Sequence, residues 1–188
     1  MKKAIFWGLL FFLCPLGLCV AQPAQETGTK VILLISEQNI EGPQRAWWAS
    51  EVDLSSLEAA VATKLISEGY EVLEPSALEH VVQKSAAFRT INMNQAASVK
   101  LGNLAKAHYV VLGKAIASAG GNVPSSTMRS CFANVTAKLI RVKDGKVIAY
   151  LNASGSSAHP DVITGGKEAL VGAGEELAGK LIAALKNK

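Results

Sequence analysis

The chain has 188 residues, a net charge of +4 at pH 7 and a sequence pI near 9.0, and only 6% of its residues are aromatic. Residues 1–21 contain two lysines and no acid, so without them the net charge falls from +4 to +2. A charge this small and this evenly spread does not favour nucleic-acid binding through phosphate neutralisation.

The N-terminal segment is typical of an export signal. Two lysines precede an apolar run that is broken by Pro15 and Gly17 and ends with small residues at Ala21. This layout predicts a secretory signal peptide over residues 1–21. Two alternatives stay open, an uncleaved membrane anchor and lipidation at Cys19, which completes an approximate bacterial lipobox.

The remaining chain is long enough for one domain with a real core. We predict a short polar lead over residues 22–29 and a single globular domain over residues 30–188. Of the three cysteines only Cys131 lies outside the predicted signal, so no internal disulfide is expected there. The expected location is the periplasm or the outer-membrane surface.

The first half predicts a strand, a helix and a second strand. The apolar run over residues 30–36 is typical of a strand buried on both faces. Asp53 precedes a helical stripe over residues 54–69 that ends at Gly69. Residues 70–73 predict a short strand, and the close succession of the three elements predicts that the two strands are parallel.

Two further helices are predicted before the next strand. Ser76 and Glu79 have the spacing of a capping box, which predicts a helix that ends near Lys84. Asn94 can cap another helix. Its inward face should contain Ala97, Leu101, Leu104 and Ala105.

The second half predicts an antiparallel sheet followed by a helix. Residues 108–118 read as a strand, residues 119–126 as a polar loop, and residues 128–142 alternate as a half-buried strand does. Asp144 and Gly145 suit a tight hairpin turn. The returning strand spans residues 147–154, and a last helix starts at Asp161 or Thr164 and ends in lysines.

These elements predict an α/β (α+β) fold. Its mixed sheet should have about five strands, parallel at the start and with an antiparallel hairpin later, packed by about four helices.

Several segments of the chain resemble a known superfamily. The most specific are GYEV at residues 69–72, AHYVVLG at 107–113 and GKV at 145–147. With their surroundings over about residues 30–186, they look like the domain shared by the curli secretion channel subunit, the lipoprotein activators of penicillin-binding proteins, the N-terminal domain of the Tol-system propeller protein and the middle domain of a flagellar assembly protein. The resemblance implies a non-catalytic envelope domain that works through protein contacts. The channel subunits also carry membrane hairpins, which the polar loop over 119–126 cannot replace.

The chain offers no clear catalytic or metal-binding cluster. Cys131 could be paired with His108 or His159 as a thiol nucleophile and its base, but its place in an apolar alternation favours a buried, inert thiol. The three histidines match no metal-ligand spacing. We therefore expect no enzyme activity, cofactor or metal.

The aromatic loop after the first strand is the leading candidate for partner binding. Trp47 and Trp48 stand side by side next to Arg45, and exposed tryptophan and arginine are typical of interface hot spots. The alternative is that both rings cover the domain itself.

Two other surfaces are weaker candidates. Glu37 and Asn39 follow the first strand at the carboxyl end of a parallel pair, where open α/β sheets bind small ligands. A basic cluster around the predicted hairpin could contact lipid head groups or glycan polymers. It comprises Lys138, Arg141, Lys143 and Lys146.

The leading hypothesis is an exported accessory domain that binds another envelope protein in envelope or surface-appendage assembly. Self-association and strand addition at an open sheet edge are second modes of contact. Membrane association is expected only if Cys19 is lipidated. The alternatives are a periplasmic small-ligand binding protein, a lipid-anchored lipoprotein of the same superfamily and, least favoured, a thiol enzyme at Cys131.

Overall fold

The computed structural model describes residues 28–42, 55–73, 78 and 93–187. Within these ranges the chain forms five strands and three helices. In chain order they are β1 (Lys30–Gln38), α1 (Ser56–Ser67), β2 (Glu71–Leu73), α2 (Gln95–Leu104), β3 (Tyr109–Asn122), β4 (Arg129–Arg141), β5 (Val147–His159) and α3 (Val162–Lys186). The predicted signal peptide, the Trp47–Trp48 loop and, apart from Leu78, the helix predicted after Pro75 lie outside the described residues.

The five strands form one mixed sheet in the order β2-β1-β3-β4-β5. β1 pairs in parallel with both β2 and β3, and β3, β4 and β5 are antiparallel neighbours. The predicted fold class is therefore confirmed. β1 is interior and almost wholly buried, which explains its continuous apolar sequence.

One face of the sheet is covered by α1 and α3. The alternation predicted in β4 is confirmed, because Cys131, Val135 and Leu139 point into this core while Asn134 and Thr136 are exposed. Small residues let α3 lie close to the sheet. A Cβ on Gly155 of β5 would stand 2.0 Å from the backbone oxygen of Ala169, so only glycine fits there.

The other face is covered only in part. α2 packs over β1 and the start of β3 through Leu101, which meets Ile32, Leu34 and Val110 in a second core. Asn94 caps α2 as predicted, its Oδ1 accepting from the Ala97 N–H at 2.8 Å. The inward position predicted for Leu104 is wrong, since that side chain is 53% exposed.

β3 is longer than the sequence predicted. Residues 120–122, expected in a loop, continue the strand, with a register irregularity between Ala119 and Asn122. A Cβ on Gly120 would stand 2.6 Å from Cε2 of Phe132. The glycine thus marks a place where an aromatic ring of the neighbouring strand lies against the backbone.

Both long helices begin at a polar cap. Asp161, one of the two predicted starts, caps α3, and its Oδ2 accepts from the Thr164 N–H at 2.8 Å. α1 begins later than predicted, because its N-cap is Ser55 and not Asp53. Ser55 Oγ accepts from the Glu58 N–H at 3.2 Å.

Candidate functional site

The carboxyl end of β1 holds two buried carboxyl groups, Glu37 and Glu58. The Glu37 carboxylate accepts hydrogen bonds from the Ser55 hydroxyl and, at 3.0 Å, from the Leu57 N–H. Both donors belong to the start of α1, where backbone N–H groups lack partners within the helix. Glu37 therefore fastens the first turn of α1 to the end of β1.

Glu58 closes the same contact from the helix side. Its Oε1 accepts from the Ile35 N–H at 3.1 Å. Burial raises the pKa of the Glu58 carboxyl to about 8, the hydrogen bond from Ile35 opposes that rise and the charge of Glu37 adds to it. Near neutral pH the group is therefore largely protonated, because a charge here would lose its water without gaining a cation.

Asn39 holds the other helix that reaches this end of the sheet. Its Nδ2 donates to the Ile163 carbonyl at 3.1 Å, and its Oδ1 accepts from the Ile40 N–H at 2.8 Å. A Cβ on Gly166 would stand 2.1 Å from that Oδ1. The polar groups at the end of β1 are thus engaged with the protein's own helices, and the small-ligand site predicted at Glu37 and Asn39 stays a prediction that this geometry does not favour.

Cys131 lies in the core with none of its surface exposed. Its Sγ lies 3.8 Å from the Val162 carbonyl oxygen and 3.9 Å from that of Arg129. His159 is near, but its Nδ1 accepts from the Asp161 N–H at 3.0 Å. A fully buried thiol offers no approach for a substrate.

Among the described residues, His108 and His159 do not meet a cluster of acids. Nδ1 of His108 accepts from the Lys30 N–H at 2.9 Å, so that ring holds the backbone of β1. No group of three or more histidine, cysteine, aspartate or glutamate side chains in the described ranges could hold a metal ion. None of the helices in those ranges is both long and apolar enough to cross a membrane.

The side of β3, β4 and β5 opposite α3, which we call the open face, is not covered by any of the described elements. The strand register brings together Lys114, Ile116, Ser118, Phe132, Asn134, Thr136, Lys138, Tyr150, Asn152, Ser154 and Ser156. Ile116, Phe132 and Tyr150 are 41%, 44% and 73% exposed. None of the residues of the open face is acidic.

A groove deepens the open face at the β5 edge. It has a volume of about 530 Å³ and is lined by Phe132, Asn134, Ser154 and Ser156, with backbone contributed by Gly155 and Gly172. The Phe132 ring lies against Gly120, so its position is held from one side. The open face thus combines a fixed aromatic ring, hydroxyl and amide groups, and two lysines.

Sequence reasoning placed all of these residues except Ser156 on strands, and of them it singled out only Lys138, as part of the basic cluster. The signal was present, because Phe132 occupies an outward position of the β4 alternation among Asn134 and Thr136. Tyr150 stands in the same way on β5. An aromatic ring at an outward strand position, away from any covering helix, is the pattern that could have identified the open face.

No protein-family model matches the sequence, and a search of the curated proteins gives no match. Solved structures do match. The chain is similar to lipoprotein GNA1162 from Neisseria meningitidis, with 15% identity, a TM-score of 0.45, and coverage of 85% of this chain and 96% of that one. It is also similar to the LpoB C-terminal domain from Salmonella enterica, with 17% identity, a TM-score of 0.41, and coverage of 68% and 82%.

A third match is the PelC dodecamer from Paraburkholderia phytofirmans. Its identity is 18% and its TM-score 0.41, and 87% of this chain and 91% of that chain are covered. The chain is similar in fold to these proteins, and the superfamily named from the sequence stays a prediction. At these identities the likeness is one of fold alone.

Proposed function

We propose that the chain is an exported, non-catalytic accessory domain of the bacterial envelope that acts by binding another protein through its open face. The observation that carries the proposal is the exposure of Ile116, Phe132 and Tyr150 on a sheet surface that no described element covers. Ile116 and Phe132 are diagonal neighbours on this surface, and Tyr150 stands further along it, opposite Lys138. Exposed apolar groups among polar ones are typical of protein interaction sites.

The chemistry of the open face favours an acidic partner. Lys114 and Lys138 lie on it without any acidic residue among their neighbours on that face. A partner surface that brings carboxylates would satisfy both charges and would be drawn to the face at long range. Tyr150 and Phe132 would supply the apolar anchor, since large rigid rings bury area at a small entropic cost.

The Trp47–Trp48 loop with Arg45 remains part of the proposal as a second contact of the same kind. Trp47 and Trp48 follow β1 along the chain, outside the described residues. Possession of two separate contacts would let one domain bridge two envelope components.

The test begins with a photo-crosslinking residue at position 150 of the chain expressed in its own envelope, and at position 66 as the matched control. Ile66 on α1 is 59% exposed and lies away from the open face. The protein that crosslinks from position 150 and not from position 66 is then purified and titrated with variants.

We expect Tyr150→Ala, Phe132→Ala and Lys138→Glu each to weaken this partner's affinity by at least about 10-fold, with a stronger effect of Lys138→Glu at low salt. Ile66→Ala and Leu104→Ala, also exposed, should bind as the wild type does. Unchanged affinity of all three open-face variants would refute the proposal. If Trp47→Ala or Trp48→Ala lost binding to this partner while the three open-face variants kept it, the contact would lie in the loop and the open-face proposal would be refuted.

A further inference from the structure

One end of the sheet gathers basic side chains from several turns. At the end where β1 begins, Val31 pairs with Tyr109, and Tyr109 pairs with Arg141. The Val142 N–H donates to the His108 carbonyl at 3.0 Å. The turn before β3 and the hairpin between β4 and β5 therefore lie side by side, next to the first residue of β1.

The ends of both long helices also reach this region. Lys186, the last residue of α3, forms a salt bridge at 2.6 Å with Glu68, which follows α1. We call this region the basic end. Its charged residues are Lys30, Glu68, Glu71, Lys106, Arg141, Lys143, Asp144, Lys146 and Lys186.

Each acid of the basic end is already engaged by a cation. Besides the Glu68 pair, Lys30 binds Glu71 at 2.8 Å and Arg141 binds Asp144 at 3.5 Å. Lys106, Lys143 and Lys146 are left exposed, and in the described ranges no salt bridge reaches them. Three positive charges thus remain unbalanced on adjacent turns.

The backbone holds two of these turns in defined shapes. Lys106 has a φ of 55°, which is uncommon for a residue with a side chain, and its N–H donates to the Asn103 carbonyl at 3.1 Å. In the hairpin, Gly145 has a φ of 66°, and Asp144 accepts from the Lys146 N–H at 3.2 Å. The lysines are therefore carried on ordered turns.

The chain also enters the domain at the basic end. Residues 20–29 separate Cys19 from Lys30, and ten extended residues span at most about 35 Å. The apolar segment over residues 1–21 thus precedes this end by a short tether. A lipid anchor at Cys19 would hold the basic end within that distance of a bilayer.

We propose that the basic end binds the phosphate-bearing head groups of an anionic lipid bilayer, whether or not Cys19 carries an acyl chain. Lysine acts as a compact point charge and suits the diffuse negative field of a membrane surface. Arg141, whose planar guanidinium could hold a single phosphate in two places, is engaged by Asp144 instead. The three separate lysines suit the charged surface of a bilayer better than a single bound phosphate.

The test measures partitioning of the full chain carrying Cys19→Ala onto vesicles of equal parts phosphatidylcholine and phosphatidylglycerol, and onto pure phosphatidylcholine. The combined variant Lys106→Gln, Lys143→Gln and Lys146→Gln removes three charges from the basic end. The matched control Lys114→Gln, Arg129→Gln and Lys167→Gln removes three exposed charges elsewhere, so both variants have the same net charge.

We expect the wild type to prefer the anionic vesicles and to lose that preference at high salt. The basic-end variant should partition on the order of 100-fold more weakly, from the loss of three membrane-facing lysines, while the control stays within a few-fold of the wild type. Melting temperatures of both variants should match that of the wild type, because all six side chains are exposed.

Three results would overturn the proposal. The first is absence of any preference for the anionic vesicles. The second is an equal loss of partitioning in both triple variants, which would mean that the effect depends on net charge and not on the basic end. The third is displacement of the chain by a soluble acidic polysaccharide at matched charge, which would assign the basic end to a polymer. Tyr150→Ala should leave partitioning unchanged, so this test is independent of the open face.

Discussion

Replacement of Glu58 by glutamine should remove most of the pH dependence of stability between pH 5 and 8. Burial raises the pKa of Glu58 from 4.5 to about 8. Below pH 4.5 the carboxyl is protonated in both the folded and the unfolded chain, so its burial does not lower the unfolding free energy through a difference in protonation. As the pH rises towards 8 the unfolded chain releases this proton first, and the stability of the folded state falls.

The size of the effect follows from the two pKa values. The difference between 8 and 4.5, at about 1.36 kcal/mol per pH unit, corresponds to roughly 5 kcal/mol when the titration is complete. Between pH 5 and 8 the expected loss of unfolding free energy is about 3 to 4 kcal/mol. Glutamine has the same shape, can still accept from the Ile35 N–H and does not titrate, so Glu58→Gln should be the more stable protein at pH 8.

The assay is urea unfolding at pH 5, 6, 7 and 8, with the midpoint compared at constant m-value. The matched control is Glu168→Gln, which removes an exposed carboxylate of α3 and should keep the wild-type pH profile. Groups common to all three proteins contribute equally to each profile and cancel in the comparison. If the wild type and Glu58→Gln show the same slope against pH, the Glu58 carboxyl does not carry the penalty and the reasoning fails.

Two further outcomes test the packing of α3 and the state of the thiol. Gly155→Ala should destabilise the domain by about 3 kcal/mol, because its Cβ would stand 2.0 Å from the Ala169 oxygen. Gly179→Ala, whose Cβ would meet nothing within 4 Å, should instead stabilise α3 by about 1 kcal/mol in the same chemical unfolding assay. If the two variants changed stability similarly, the close contact of Gly155 would be contradicted. Cys131, fully buried, should react with an aromatic disulfide reagent only on unfolding, and rapid labelling of the native protein would revive the thiol-enzyme alternative.

The sequence predicted those elements whose patterns are local. β1 was recognised because it is buried on both faces, and β4 because its burial alternates over residues 131–139. The Asn94 and Asp161 caps were found because a cap depends on a side chain and the next three residues. The parallel pairing of the first two strands and the antiparallel hairpin followed from chain succession and the turn.

What the sequence missed depends on residues far apart in the chain. β3 runs on through Gly120 because the Phe132 ring of the next strand lies against it, and a glycine pair by itself reads as a turn. Ser55 replaced Asp53 as the cap of α1 because Glu37 meets it from β1. The small-ligand role predicted for Glu37 was inferred without that same long-range contact and stays a prediction.

Side chains that bind free backbone groups on β5, and on β1 beyond the end of β2, explain why contact through a face is favoured over strand addition. On β5 the Ser154 N–H donates to Glu176 Oε2 at 2.9 Å, and Nζ of Lys180 donates to the Asn152 carbonyl at 2.6 Å. The hydrogen bonds from Lys180 and then Ser154 lower the pKa of the Glu176 carboxyl, so it stays ionised in this role at neutral pH.

On β1 the Ile35 N–H, beyond the three residues paired with β2, is taken by Glu58. A strand added at either place would first have to displace a side chain that already satisfies the backbone, which is how natural sheets protect their edges. Binding to the open face would not require any such displacement. Its rings and lysines are already exposed, so a partner that binds there gains apolar burial and charge pairing without breaking a hydrogen bond of the domain.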